Sequence, residues 1–144
     1  MAITQLSAFL ENRPGMLCDA LSAITGAGVN IRALSVADTK DFGILRIIVS
    51  DPEKTKEVLG DDIIVKETKV VAVKMDDRSG ALKSVLEILK DAGVNIEYVY
   101  AFTGGTQGSS YVVLRVDDTD QAENILSQKN VKTFNDEDLL DYLA

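Results

Sequence analysis

From Thr4 to Leu10 apolar and polar positions alternate, with Leu6, Ala8 and Leu10 on one face and Gln5, Ser7 and Phe9 on the other. That two-residue period predicts a half-buried strand. The pattern breaks at Asn12-Arg13-Pro14-Gly15 and resumes with a longer period: Leu17, Leu21 and Ile24, with Ala20 and Ala27 beside them. This is helical spacing, started by a proline whose fixed φ suits a first turn and ended by Gly26-Ala27-Gly28. Ile31 to Ala37 reads as a second strand, Asp38 to Asp41 as a turn, and Ile44 to Val49 as a third strand. The third is apolar on both faces apart from Arg46, which predicts a central position in the sheet. Asp51-Pro52 supplies an N-cap and a first-turn proline for a second helix ending near Leu59-Gly60, and Ile63 to Glu67 is a fourth strand. The order β-α-β-β-α-β is the split βαβ, or ferredoxin-like, pattern.

The pattern then repeats without a flexible linker. Val71, Val73 and Met75 take the places of Leu6, Ala8 and Leu10, and Leu82, Val85, Leu86, Leu89 and Ala92 form the next helical stripe. Ile96, Tyr98, Tyr100 and Phe102 alternate on a more aromatic strand, followed by a longer turn over 103–108 and a central strand from Tyr111 to Val116. Asp118-Thr119 caps a helix carrying Ala122, Ile125 and Leu126. Val131 to Phe134 makes a last strand, and Asn135 to Asp138 opens a short extra helix with Leu139, Leu140, Tyr142 and Leu143. Laid over Asp77–Ile96 without gaps, Asn12–Ile31 gives nine identities in twenty positions, five of them the run Ala-Gly-Val-Asn-Ile. A repeat of this length is one supersecondary unit used twice. The expected units are 1–68 and 69–144. Each is near the lower size limit for an independent core, so each is expected to lean on the other.

Composition narrows the function. Hydrophobic residues are 46% and charged residues 26%, a globular mixture. No apolar run approaches the roughly 20 residues that span a bilayer, and Met1 to Gln5 lacks the basic flank and apolar core of a signal peptide. With a single cysteine, Cys18, no internal disulfide can form, and a cytoplasmic setting is expected. The net charge of -8 repels phosphate backbones and anionic lipid, so neither nucleic acid nor membrane is an expected partner. There is no histidine. Ser-His and Cys-His nucleophile pairs and histidine metal sites are therefore excluded, and no cofactor or metal is expected. The acidic pairs Asp61-Asp62, Asp117-Asp118 and Asp136-Asp138 fit solvated turns and caps better than a Mg²⁺ or Ca²⁺ site.

Two βαββαβ units, each with an N/D-x-x-G-x-L turn and a G-V-N-I helix exit, resemble paired ACT domains, the small regulatory modules of amino-acid biosynthetic enzymes. The resemblance covers nearly the whole chain up to Phe134. It implies an α+β fold of two ferredoxin-like units side by side, with an antiparallel sheet and helices on one face. It also implies a non-catalytic module that binds an amino acid and regulates an associated enzyme. The bare sheet face would then need cover, for which a homodimer is the expected solution.

The residues support a small zwitterion independently. Helices starting near Gly15 and Gly80 offer unpaired N–H groups and the positive end of a dipole, where a carboxylate is favoured. Asn12, Asn30 and Asn95 both donate and accept. The candidate ligand-binding residues are Asn12, Arg13, Pro14, Gly15, Met16, Leu17, Asn30 and Ile31 in the first copy. In the second they are Asp77, Arg78, Ser79, Gly80, Ala81, Leu82, Asn95 and Ile96. Carried over from the family, Asn12 would face Asn95 and Asp77 would face Asn30. The plain alternatives are tight turns for the glycines, left-handed helix caps for Asn30 and Asn95, and solvated turn residues for Arg13 and Arg78. Two rival functions stand beside the sensor: an adaptor with vestigial sites, and an acylphosphatase-like enzyme using Arg13, Gly15 and Asn30.

Overall fold

The computed structural model describes residues 2–38, 41–102 and 109–138. The chain divides into two units, Thr4–Thr68 in one and Met1–Ile3 with Lys69–Ala144 in the other.

In the first unit, β1 (Ile3–Glu11) leads to α1 (Met16–Gly26), β2 (Ile31–Asp38), β3 (Phe42–Val49), α2 (Pro52–Leu59) and the start of β4 (Ile64–Asp76). The strand order is β2-β3-β1-β4. β3 is central, as its two apolar faces predict, with antiparallel partners on both sides. Leu6 lies opposite Ile47 and Ala8 opposite Leu45, while Leu34 and Val36 pair with Ile47 and Leu45 from the other edge. Leu6, Ala8 and Leu10 meet Leu45, Ile47 and Val49 on one sheet face, closed over by Ala20 and Ile24 of α1 and Leu59 of α2. Leu17, placed in this stripe by its spacing, instead stands 37% exposed at the first turn, one helical turn beyond the point where α1 meets the sheet.

The second unit repeats the plan with the remainder of β4, α3 (Ala81–Asp91), β5 (Ile96–Phe102), β6 (Ser109–Val116), α4 (Thr119–Gln128) and β7 (Thr133–Phe134), in the order β5-β6-β4-β7. Its core joins Val71, Val73, Val112, Leu114 and Val116 to Val85 and Leu89 of α3 and to Ala122 and Leu126 of α4.

Four sequence expectations need correcting. The strands predicted at 63–67 and 70–75 are one continuous strand of 13 residues, β4, because nothing in Lys66-Glu67-Thr68-Lys69 breaks the extended backbone. The last strand shortens to Thr133–Phe134. Ile96 and Tyr98 do not share a face: the register slips by one residue between them, so Ile96 packs on the helix side and Tyr98 on the other. The face turned away from the helices is also not bare. Gln5, Ser7, Ala33 and Ile48 in the first unit, and Ala72, Tyr111 and Val113 in the second, are all buried in the single chain. Gln5 and Ser7 satisfy each other there, Gln5 Nε2 donating to Ser7 Oγ at 3.0 Å, as buried polar groups must. A second copy is thus not required to cover these residues. The predicted C-terminal helix begins as expected. Asp138 N–H donates to Asn135 Oδ1 at 2.7 Å, and Asn135 N–H donates to Asp138 Oδ2 at 3.2 Å, a reciprocal cap. Leu139, Leu140, Tyr142 and Leu143, like the 103–108 turn, lie outside the described residues.

Candidate functional site

The two strand-to-helix turns are the same structure built twice. Arg13 N–H donates to the Glu11 carbonyl at 3.0 Å, and Arg78 N–H to the Asp76 carbonyl at 2.9 Å. Gly15 and Gly80 then occupy the N-cap with φ of 88° and 85°, and their carbonyls accept from Asp19 and Ser84 N–H at 2.8 and 3.0 Å. An N-cap is normally extended and contributes a side-chain oxygen to the first-turn N–H groups. Here it is left-handed and has no side chain, and neither helix has a side-chain cap. The other two helices of the repeat are conventional: Asp51 Oδ1 accepts from Lys54 N–H and Asp118 Oδ1 from Gln121 N–H, both at 3.0 Å. The uncapped helix ends occur at the matching place in both units. Their first-turn N–H groups carry the positive end of the helix dipole at an exposed turn. Asn12 to Gly15 and Asp77 to Gly80 are exposed, while Met16 and Leu82 are half-buried and Ala81 is buried. Arg13 pairs with Glu11 at 2.9 Å and Arg78 with Asp76 at 3.6 Å, both pairs well exposed. Such pairs add little stability; they hold each guanidinium beside its turn.

The helix exits are also duplicated. Gly28 and Gly93, with φ of 79° and 76°, are the left-handed residues, so the capping alternative for Asn30 and Asn95 does not hold. The asparagines come two residues later, and the partner strand clamps each by its backbone. Asn30 N–H donates to Ser50 Oγ at 3.0 Å while Ser50 N–H donates to the Asn30 carbonyl at 2.9 Å. Asn95 N–H donates to Asp117 Oδ1 at 3.1 Å while Asp117 N–H donates to the Asn95 carbonyl at 3.2 Å. Both asparagines are exposed, and Ile31 and Ile96 after them are half-buried against the cores. One residue further on, both units carry the same register slip, between Ile31 and Ala33 and between Ile96 and Tyr98. An extra residue of this kind re-aims side chains and favours functional edges. The slip and the Ser50 and Asp117 clamps are site features that periodicity did not reveal. Ser50 and Asp117 could have been noticed as the residues just before the two helix caps.

Within one unit the turn and the exit are not brought together. They lie at opposite ends of an 11-residue helix, about 16 Å apart at 1.5 Å per residue. Asn12 therefore does not meet Asn30, nor Asp77 meet Asn95.

Two of the acidic pairs do structural work. Asp118 is a cap, Asp117 a clamp, and Asp138 accepts from Asn135 N–H; among the described residues no cluster of three His, Cys, Asp or Glu is placed to hold a metal. Cys18 is a free, exposed thiol on the flank of α1. No helix among the described residues is long and apolar enough to cross a membrane. Among the described residues the one strongly buried carboxylate is Glu123 on α4, 5% exposed. Both of its oxygens lack a hydrogen-bond partner among the described residues. Burial, with Asp120 adding to it, pushes its carboxyl above the ordinary glutamate range.

Compared with known proteins, residues 1–143 match the ACT domain pair family. A solved protein from Bacteroides thetaiotaomicron is similar at 38% identity, with a TM-score of 0.89 over 97% of this chain and 96% of that one. The ligand-free regulatory subunit of aspartate kinase from Thermus thermophilus shares the fold, at 12% identity and a TM-score of 0.63 over 87% and 91% of the two chains. So does the aspartate kinase of Clostridium acetobutylicum, at 17% identity and a TM-score of 0.54 over 87% of this chain and 32% of that one. No curated protein matches the sequence.

Proposed function

This chain belongs to the ACT domain pair family, and from that premise we propose that it is a non-catalytic sensor that binds an amino acid and regulates an associated metabolic enzyme. Each site would pair the turn of one unit with the helix exit of another: Asn12 with Asn95, and Asp77 with Asn30. The observation that carries this reading is the duplicated uncapped helix start. At Gly15 and Gly80 the chain leaves first-turn N–H groups without a side-chain acceptor, while it caps α2 and α4 with aspartate. A ligand carboxylate supplies the missing acceptor, and an asparagine carbonyl suits the ammonium.

The two sites are not equivalent. Asn12 can donate to a carboxylate, whereas an ionised Asp77 only accepts and repels one. Pro14 also restricts its loop before binding, where the second copy has Ser79. The Asn12 site is therefore the stronger. The sensor acts in the cytoplasm and pairs with a second copy or with its enzyme.

A thermal-shift screen of the twenty amino acids tests the reading. A ligand at a hundred times its Kd stabilises the folded state by about 2.7 kcal/mol, a rise in melting temperature of several degrees. If none of the twenty raises it, the adaptor reading takes over.

A further inference from the structure

Beside each of these turns lies a groove, and the two grooves have diverged in a way that points to a polypeptide ligand. Seven positions lining the first unit's groove have their counterparts, sixty-five residues later, in the lining of the second, so both belong to the repeat itself. Their contents differ. Phe9 is replaced by Lys74, Met16 by Ala81 and Asp19 by Ser84. The first groove, of about 700 Å³, is lined by Phe42, Ile63 and Ile64 and by Asp19 and Asp62, with Glu11 paired to Arg13. The second, of about 290 Å³, carries Lys74, Arg78 and Lys132 against Asp76. A common backbone frame thus holds a larger groove with a net acidic lining in one unit and a smaller one with a net basic lining in the other.

We propose that the first unit's groove docks a short segment of a partner protein that carries apolar side chains and at least one Lys or Arg. Phe42 is 49% and Ile64 64% exposed, so the apolar floor continues onto the open surface. An extended chain fits that shape better than an enclosed small molecule does. The acidic lining selects a cation. The groove shares Arg13 and Met16 with the Asn12 turn, so docking there would be felt at that turn. The site does not depend on amino-acid binding, and its test uses residues outside the turn.

The test is an amide-resolved NMR titration of the full chain with a capped six-residue peptide of leucine and lysine. The counterpart carrying glutamate for lysine serves as the second probe. The expected shifts cluster at Ala20, Phe42 and Ile64 and spare Val85 and Ile88. The glutamate peptide binds at least about tenfold more weakly, a difference of about 1.4 kcal/mol. Ile64→Ser, at a surface position that cannot unfold the core, weakens the lysine peptide about tenfold, and Asp62→Asn weakens it measurably. Shifts scattered over the acidic surface, equal binding of both peptides, or an undiminished affinity in Ile64→Ser would overturn the proposal.

Discussion

Gly80 shows why the turns are fixed at single residues. Its φ is 85°, and nothing lies within 4 Å of where a Cβ would stand. Replacing it with alanine meets no steric neighbour and costs only the left-handed dihedral, about 1–2 kcal/mol. Gly80→Ala should lower the denaturant midpoint accordingly while leaving the slope unchanged. Glu123 behaves in the opposite sense. Its native carboxyl holds its proton to higher pH than in the unfolded chain, because burial penalises the charged form. The native state then binds more protons than the unfolded one. Glu123 therefore favours folding most below the ordinary glutamate value of 4.5, and that contribution is lost as pH rises through the raised native value. Glu123→Met should stabilise the protein by about 1–3 kcal/mol at neutral pH, and its advantage should shrink as the melt is repeated toward pH 4. An advantage that does not vary with pH would show that packing, rather than charge, explains it. The sequence offered no sign of Glu123: it sits among charged and amide neighbours in a helix whose apolar stripe, Ala122 and Leu126, was read without it.

At the scale of elements, the contrast between capped and uncapped helices is open to direct measurement. Asp118→Ala removes the acceptor for Gln121 N–H and should cost about 1 kcal/mol by thermal melt, the usual worth of such a cap. Asp51→Ala should cost a similar amount in the first unit. The helices, their order and the central strands were legible because each rests on local signals: the Asp-Pro and Asp-Thr starts, the closing glycines, and a strand apolar on both faces. The register slips after Ile31 and Ile96 were not legible, because a bulge depends on which residues a partner strand opposes, and one strand's alternation does not show that. The continuity of β4 is hidden in the sequence because its polar middle, Lys66 to Lys69, looks like a boundary to periodicity, although it carries no helix or turn signal to end the strand. The burial of Gln5 and Ser7 escaped for a related reason. Polar residues on a strand read as solvent-facing unless their mutual hydrogen bond is known.

At the scale of the molecule, the repeat decided the fold reading. One βαββαβ unit admits many functions. Two copies that share a turn, a helix exit and an offset of sixty-five residues belong to the ACT domain pair family. The candidate residues stand out as a set because Arg13, Gly15, Leu17, Asn30 and Ile31 recur in the second copy. Their pairing, Asn12 with Asn95 and Asp77 with Asn30, is carried over from the family, because sequence spacing does not report which turn meets which exit. The proposed function rests on whether an amino acid binds at the uncapped helix ends. Its most direct test is titration calorimetry of the wild-type, Asn12→Ala and Asp77→Ala proteins with each amino acid. The account predicts saturable heat with at least one amino acid, lost or weakened at least about tenfold in Asn12→Ala and retained in Asp77→Ala for the tighter site. Unchanged binding in both variants, or no heat from any amino acid in the wild-type protein, would contradict it.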